Sequence, residues 1–356
     1  MKKFSSAIPE RTMGLDLGDR RSTWCLVDQN GEVVGAGSVE TTQAGLGRLL
    51  AKLKRGRVVM EVGTHSPWAS RLAKSCGHEV VVANPRKVKA ISANVRKSDP
   101  VDAELLARLG RVDVQLLSPI EHRGEEVQAD RAIIRSRNAL VSARTALVTS
   151  VRGQVKAFGY RLPSCSPAAF AGKVSQSIPA ALRPALEPLV EQIEALSRQI
   201  GHYDRLVERC WEKYAEAHRL RQIKGVGALT ALAFVTAIED PSRFPSSRET
   251  GAFLGLVPRR SQSGERDPTL GITKTGDETA RRLLVQSAHY VLGPFGPDCT
   301  LRRYGERVVE QGGRGAKRRA VVAVARKLAV LLHALWVGSE DYDPRRGLLT
   351  DSPVAA

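Results

Sequence analysis

Residues 12–28 read T-M-G-L-D-L-G-D-R-R-S-T-W-C-L-V-D, and the fold of the first third of the chain turns on them. Apolar and polar residues alternate and strand formers are frequent, which predicts extended strand. Asn30-Gly31 follows, a dipeptide suited to a tight hairpin turn because both residues tolerate positive φ. Glu32–Val39 then reads as the returning strand. Gln43–Lys54 carries Leu46, Leu49, Leu50 and Leu53 on one helical face. Arg57–Val62 is a short strand, Pro67–Cys76 a helix that stops at Gly77, and Glu79–Ala83 a buried strand closed by Asn84-Pro85. Asp99–Leu109 predicts a helix with Pro100 in its first turn. This order predicts a mixed α/β sheet with helices on its faces, filling residues 1–115.

Further along, residues 121–160 predict one long helix, with Ile133, Leu140, Leu147 and Val151 near heptad spacing. Pro163, Pro167, Pro179, Pro184 and Pro188 mark residues 160–188 as a loop, and Val190–Leu220 reads as a second long polar helix. Two such helices predict a coiled-coil arm over 116–220 that serves oligomerisation. Gly225-Val226-Gly227 has two readings, a helix-hairpin-helix turn offering N–H groups to a phosphate or a plain tight turn. A mainly helical C-terminal domain over 221–340 contains Arg248–Gly255, a loop Pro258–Thr275, Glu278–Leu292 and a last helix Val321–Trp336. From Gly338 the tail reads as loose, and 341–356 is expected to be flexible.

The chain has 356 residues, with 55 Lys and Arg against 37 Asp and Glu, a formal charge of +18 at pH 7. Its 42% apolar and 26% charged residues are ordinary globular usage. That excludes wholesale disorder, a collagen-like repeat and a small disulfide scaffold. The positive excess sits mostly in residues 1–112 and 221–356. Arg86, Lys87, Lys89, Arg96 and Lys97 form one acid-free cluster, and Arg314, Lys317, Arg318 and Arg319 follow a Gly-Gly-Arg-Gly loop. Such clusters neutralise phosphates and release counterions, so a polyanionic partner is expected. Only 5% of residues are aromatic, which disfavours a module built on base stacking. Five scattered cysteines without a C-x-x-C pair argue against a zinc ribbon and fit a reducing compartment. The N-terminus has no apolar signal segment, and the apolar run Ala320–Trp336 is broken by Arg326-Lys327. A cytoplasmic protein with no membrane partner is expected.

Four acids stand out in this basic chain. Asp16 lies in the first strand, Glu61 ends the strand R-V-V-M-E, and Asp99 and Asp102 sit three apart at a helix start. An i, i+3 pair projects from one helix face, and strand-end carboxylates can converge with it. Hard divalent cations take such oxygen ligands and can clamp both oxygens of a phosphodiester exchange. Each acid also has a structural role open to it: Asp16 as a turn cap, Asp99 as a helix N-cap. A serine in R-R-S-Q-S-G-E, Arg259–Glu265, is a candidate nucleophile, although no nearby histidine offers itself as its base.

With these residues in hand, the chain resembles the DEDD-type insertion-sequence transposases, the family that includes the Piv-like DNA invertases. The likeness runs through G-L-D-L-G-D, M-E-V-G-T-H-S, V-V-V-A-N-P and R-K-S-D-P-V-D-A-E-L-L-A. In the C-terminal part it runs through I-K-G-V-G-A-L-T-A, D-P-S-R-F, F-L-G-L-V-P-R-R-S-Q-S-G and G-I-T-K-T-G-D-E-T-A-R-R-L-L. The resemblance implies an RNase-H/RuvC-like first domain with a third antiparallel strand, for which Gly35–Glu40 is a candidate that the sequence does not separate from the strand Glu32–Val39. It implies that Asp16, Glu61, Asp99 and Asp102 are ligands of Mg2+ or Mn2+. It implies a serine that links covalently to DNA, and the family pattern places it directly before the glycine, which selects Ser263 over Ser261. Some members are directed by a structured RNA encoded in their own element, which implies such a guide RNA here, with double-stranded DNA and a homo-oligomer, dimer or tetramer.

Two features depart from the family pattern. V-G-T after Glu61 lacks one residue before the glycine, and G-E-R-D-P after Ser263 is unusually acidic. In the expected scheme Arg259, Arg260 and Lys274 offset charge on the phosphate. Two other readings use the same residues. A Holliday-junction-resolvase-like nuclease would use the acids with water as nucleophile. A non-enzymatic basic nucleic-acid-binding protein would need the acids only as caps.

Overall fold

The computed structural model describes residues 8–84, 98–262, 270–338 and 340–346. The chain divides into two compact units, Met1–Gly124 and Glu125–Ala356.

The first unit is built on a five-stranded mixed sheet: β1 Arg11–Asp16, β2 Arg21–Asp28, β3 Val33–Glu40, β4 Arg57–Glu61 and β5 Glu79–Ala83. Their spatial order is β3-β2-β1-β4-β5. The first three strands pair antiparallel, and β1–β4 and β4–β5 pair parallel. The single strand expected over residues 12–28 is therefore two strands. The break falls at Gly18-Asp19, where a Cβ on Gly18 would overlap the carbonyl of Arg21. The turn at Asn30-Gly31 forms as expected, with Gly31 at φ +90 and Asp28 Oδ1 accepting from the N–H groups of Asn30 and Glu32, each at 2.9 Å.

Helices α1 Gln43–Lys52 and α2 Ser66–Ser75 cover one sheet face. There Leu46, Leu50, Ala69 and Ala73 pack on Met13, Leu15, Val58 and Met60. Full burial of each large apolar side chain contributes about 1.5–3 kcal/mol. Helix α3 Asp99–Val112 covers the other face, where Val59, Val81 and Ala83 meet Leu106, and Cys25 and Val27 meet Ala103 and Ala107. It runs past the expected end at Leu109.

In the second unit the long helices are α4 Glu125–Ala157 and α6 Arg183–Trp211. Between them the connection is partly ordered: the short α5 Phe170–Val174 buries Phe170 against Val151, Val155, Leu186 and Ile193. Helix α6 begins before the expected Val190, because Pro184 is tolerated in a first helical turn. It ends before the expected Leu220, and Ala215–Gln222 is a 3-10 turn. Asp130 of α4, 3% exposed, accepts hydrogen bonds from Lys213 Nζ at 2.7 Å and Tyr214 Oη at 2.8 Å.

The rest is helical: α7 Ala228–Ile238, the short α8 Glu249–Phe253, α9 Glu278–Leu292, α10 Thr300–Glu310 and α11 Ala316–Val337. Helix α7 is buried nearly all round, matching its uniformly apolar sequence. Helix α10 was not expected. Helix α11 is long and apolar enough to cross a membrane, but half of that span is buried, and Val324, Leu328 and Leu332 sit fully enclosed in the core. It reads as the core helix of this unit. Residues 340–346, expected to be loose, are tied down. Pro344 O accepts from Thr300 N–H at 2.9 Å, and Gln222 bonds Asp341 and Tyr342.

Candidate metal centre and serine loop

Parallel pairing places the first two acids side by side. Leu15 is the register partner of Met60, so Asp16 and Glu61 follow at the ends of neighbouring strands. Alternation decides their face. A Cβ on Gly14 would overlap the carbonyl of Ala103, so Gly14 faces α3, and Asp16, two residues on, shares that face. Gly110 likewise packs on Val59, and Glu61 shares the face of Val59.

The direction of α3 brings the other two acids to the same end. Arg57, at the start of β4, donates from Nη1 to Gly110 O at 2.6 Å, near the C-terminus of the helix. The helix therefore runs back along the strands, and its first turn, with Asp99 and Asp102, lies towards the ends that carry Asp16 and Glu61. Asp99 is the first residue of α3 rather than its cap; Ser98 holds the cap position and makes no side-chain cap bond.

Asp102 is the most telling of the four. It is 8% exposed, and its Oδ1 is buried with no hydrogen-bond partner among the described residues. A carboxylate is costly to bury in that state unless a cation compensates it. The oxygen-only donor set suits a hard divalent ion. Among the described residues, however, no group of three or more His, Cys, Asp or Glu side chains is gathered into a metal cage. The fold brings the four acids to one end of one sheet face without closing them up.

Sequence reasoning missed the residues that fix the turn after Glu61. Ser66 Oγ accepts from Gly63 N–H and donates to Gly63 O, both at 2.9 Å. With that hydrogen committed, His122 Nε2 is the donor in its 2.8 Å bond to Ser66 Oγ. Burial, then Lys74, Arg123 and Arg71, push the His122 pKa below its usual value. His65 accepts from Trp68 Nε1 at 3.2 Å and turns Nε2 to within 3.7 Å of Asp19. The string T-H-S-P was the only signal, and its partner His122 lies 56 residues from Ser66.

The serine loop hangs from a short ladder in the second unit. Arg259 N donates to Gly271 O at 2.9 Å, Thr273 N to Val257 O at 2.9 Å, and Lys274 N to Gly255 O at 3.1 Å. Arg281 Nη1 clamps the neck from below, donating to Leu254 O at 3.0 Å and Thr275 O at 2.7 Å. Arg259, Arg260, Ser261 and Lys274 are exposed. Lys274 holds φ at +54, a left-handed conformation uncommon for a residue with a Cβ. Ser263 lies outside the described residues, as do Arg86, Lys87, Lys89, Arg96 and Lys97.

At 225–227 the chain turns between the segment 215–222 and α7, with Val226 N donating to Ile223 O at 2.9 Å. Gly225 has φ +96, a Cβ there would meet Tyr290 Cδ1 at 2.7 Å, and a 3-10 turn rather than an α-helix precedes it. In the second basic cluster, Arg319 is spent on the carbonyls of Arg314 and Gly312, while Arg314, Lys317 and Arg318 stay exposed.

Comparison with known proteins gives two family matches, the first of which runs past Gly124 into the second unit. Residues 13–159 match a transposase family of the DEDD type, and residues 217–299 match one described as "Transposase IS116/IS110/IS902 family". The chain is 29% identical over 347 residues to the transposase for insertion sequence element IS1111A of Coxiella burnetii, covering 93% of this chain and 91% of that protein. It is 30% identical over 264 residues to the transposase for insertion sequence element IS1328 of Yersinia enterocolitica, covering 73% and 74%. It is 30% identical over 298 residues to a probable family 20 transposase of Pseudomonas aeruginosa, covering 81% and 86%.

Proposed function

The chain belongs to the IS116/IS110/IS902 family of insertion-sequence transposases, and from that premise we propose that it cuts and rejoins DNA through a covalent link to Ser263. The observation that carries this reading is that Asp16, Glu61, Asp99 and Asp102 lie towards one end of one sheet face, with Asp102 Oδ1 buried and lacking a donor among the described residues. The sheet order supports a RuvC-like first domain.

The four acids would hold Mg2+ or Mn2+, and the bound cation supplies electrostatic stabilisation of the scissile phosphate. Ser263 is the nucleophile. A bond forms between its oxygen and phosphorus while the bond from phosphorus to the leaving strand's oxygen breaks. The hydroxyl proton passes to solvent, and the leaving oxygen takes one up. Rejoining reverses this with the hydroxyl of the incoming strand, so no energy source is needed. Arg259, Arg260 and Lys274, on and beside the loop's stem, offset charge on the phosphate. Arg86, Lys87, Lys89, Arg96 and Lys97 bind nucleic-acid backbone.

Family resemblance and the +18 charge support a structured guide RNA as second partner. The two long helices support a homo-oligomer, and the reading places the protein in the cytoplasm with its DNA.

The test uses DNA from the element's own ends with Mg2+. Wild type should leave a protein–DNA adduct that survives denaturation, and Ser263→Ala none. A Ser263→Ala protein that still cleaved would assign water as nucleophile and overturn the scheme.

A further inference from the structure

Beside the stem of the serine loop, within the second unit, lies a groove of about 1030 Å³. One wall is the loop's own stem, with Pro258, Leu270 and Ile272. The others are α10, the outer face of α11 and the segment 340–346. Its floor is apolar, formed by Leu256, Tyr304, Val322, Val330 and Leu331. The rim has the opposite character. Arg248, Lys274, Arg318, Arg326 and Lys327 line it, and none has a carboxylate partner among the described residues. The acids on the same rim are already engaged: Asp341 pairs with Arg219 and Gln222, and Asp343 accepts from Arg345 N–H.

An occupant must therefore combine a flat apolar body with closely spaced negative charge. Duplex DNA meets only half of that requirement, since its bases are stacked away and its surface is sugar and phosphate. An unpaired strand meets both, because its base faces are free to lie on an apolar floor while its phosphates reach the rim. Lys327 Nζ covers one face of the Tyr304 ring, 4.0 Å from its centroid, and so sets a cation at the edge of the apolar floor. Burial, then Arg307, push the Lys327 pKa down.

We propose that this groove holds unpaired bases of the DNA strand undergoing exchange, next to the phosphate that the serine loop attacks. The proposal rests on the reading above, because only that reading puts a reacting DNA strand beside the loop. The groove keeps a melted strand from re-pairing while its phosphate is exchanged.

Ala323 lines the groove on α11 and takes no part in the chemistry, so Ala323→Trp fills the space from within. The probes are a poly-thymidine oligonucleotide and a duplex of equal length, each bound to the full chain and followed by fluorescence anisotropy. Ala323→Trp should weaken binding of the single strand roughly ten-fold, the scale of a lost base-stacking contact, and leave the duplex nearly unchanged. Equal loss on both probes, or no loss on either, overturns the proposal. So does tighter binding of a poly-uridine RNA than of poly-thymidine, which would give the groove to RNA.

A second measurement needs no variant. A 5-iododeoxyuridine oligonucleotide photocrosslinked to wild type should mark Tyr304 or Tyr342, which line the groove. Crosslinks confined to other peptides overturn the proposal. If Ser263→Ala keeps strand exchange while the groove results hold, the serine scheme falls and the single-strand site stands.

Discussion

Gly14 and Ala103 lie so close that a Cβ on Gly14 would overlap the Ala103 carbonyl oxygen and crowd the Ala107 N–H. This contact seats α3 on β1 and so sets how near Asp99 and Asp102 come to Asp16 and Glu61. Gly14→Ala must push the helix away, because the obstructing atoms are backbone. Overpacking of this kind costs about 1–3 kcal/mol. A lower Tm together with a loss of DNA cleavage is expected. Unchanged cleavage would mean that the helix need not be seated there for the acids to act.

Asp102 gives a prediction of opposite sign for stability. Its buried oxygen has no hydrogen-bond donor among the described residues, so in metal-free protein the charge is a burden on the fold. Asp102→Asn should leave the metal-free Tm equal or higher. Wild type should gain Tm as Mg2+ or Mn2+ is added, since a ligand that binds the native state stabilises it, and the variant should lose most of that gain. Melting curves across a metal titration decide the matter without an activity assay. An undiminished gain in Asp102→Asn would remove this acid from the ligand set.

Elements whose pattern is local were legible in the sequence. Thus α1, β4, α2 and β5 stand where alternation and leucine spacing put them. The break at Gly18-Asp19 was passed over although Gly18 is followed by three charged residues, Asp19, Arg20 and Arg21, a turn signal between two strand-forming runs. Helix α10 carried a signal that was passed over: T-L-R-R-Y-G-E-R-V-V-E sets Leu301, Tyr304 and Val308 along one helical face, of which Leu301 alone is buried. The convergence of the acids depends on the parallel β1–β4 pairing and on the direction of α3, neither of which is written in local spacing. Strand-end position and the i, i+3 spacing suggested that Asp16, Glu61, Asp99 and Asp102 could meet, and the family resemblance named them as one set. The Ser66–His122 bond had no comparable pointer, and it appeared only in the fold.

The setting of His122, half-buried among Lys74, Arg123 and Arg71, makes the first unit sensitive to mild acid. His122 has its folded pKa held below the unfolded value near 6.5. Its contribution is therefore complete above that value and is lost as pH falls through the lowered one. Tm should decline from about pH 6.5 downward, and His122→Asn should show a flatter decline over the same window. Parallel slopes for the two proteins would mean that other groups govern the acid limb.

The neck of the serine loop supplies the last prediction. Gly255 and Gly276 face one another across it at φ +69 and +75, and each is closed in by the opposite strand. A Cβ on Gly255 would overlap Thr275 O, and one on Gly276 would overlap Phe253 O. Gly276→Ala thus carries a left-handed backbone penalty of about 1–2 kcal/mol and a clash with backbone that cannot rotate away. The neck has to open, and with it the ladder from Val257–Thr273 to Arg259–Gly271 that aims the loop. The yield of denaturation-resistant protein–DNA adduct should fall at least ten-fold, by an amount matching the strain. The Mg2+-dependent rise in Tm should persist, because the acids that give rise to it are in the first unit. Loss of both together would mean that the substitution unfolds the chain at large. Retention of adduct formation would mean that the loop finds its aim without the neck.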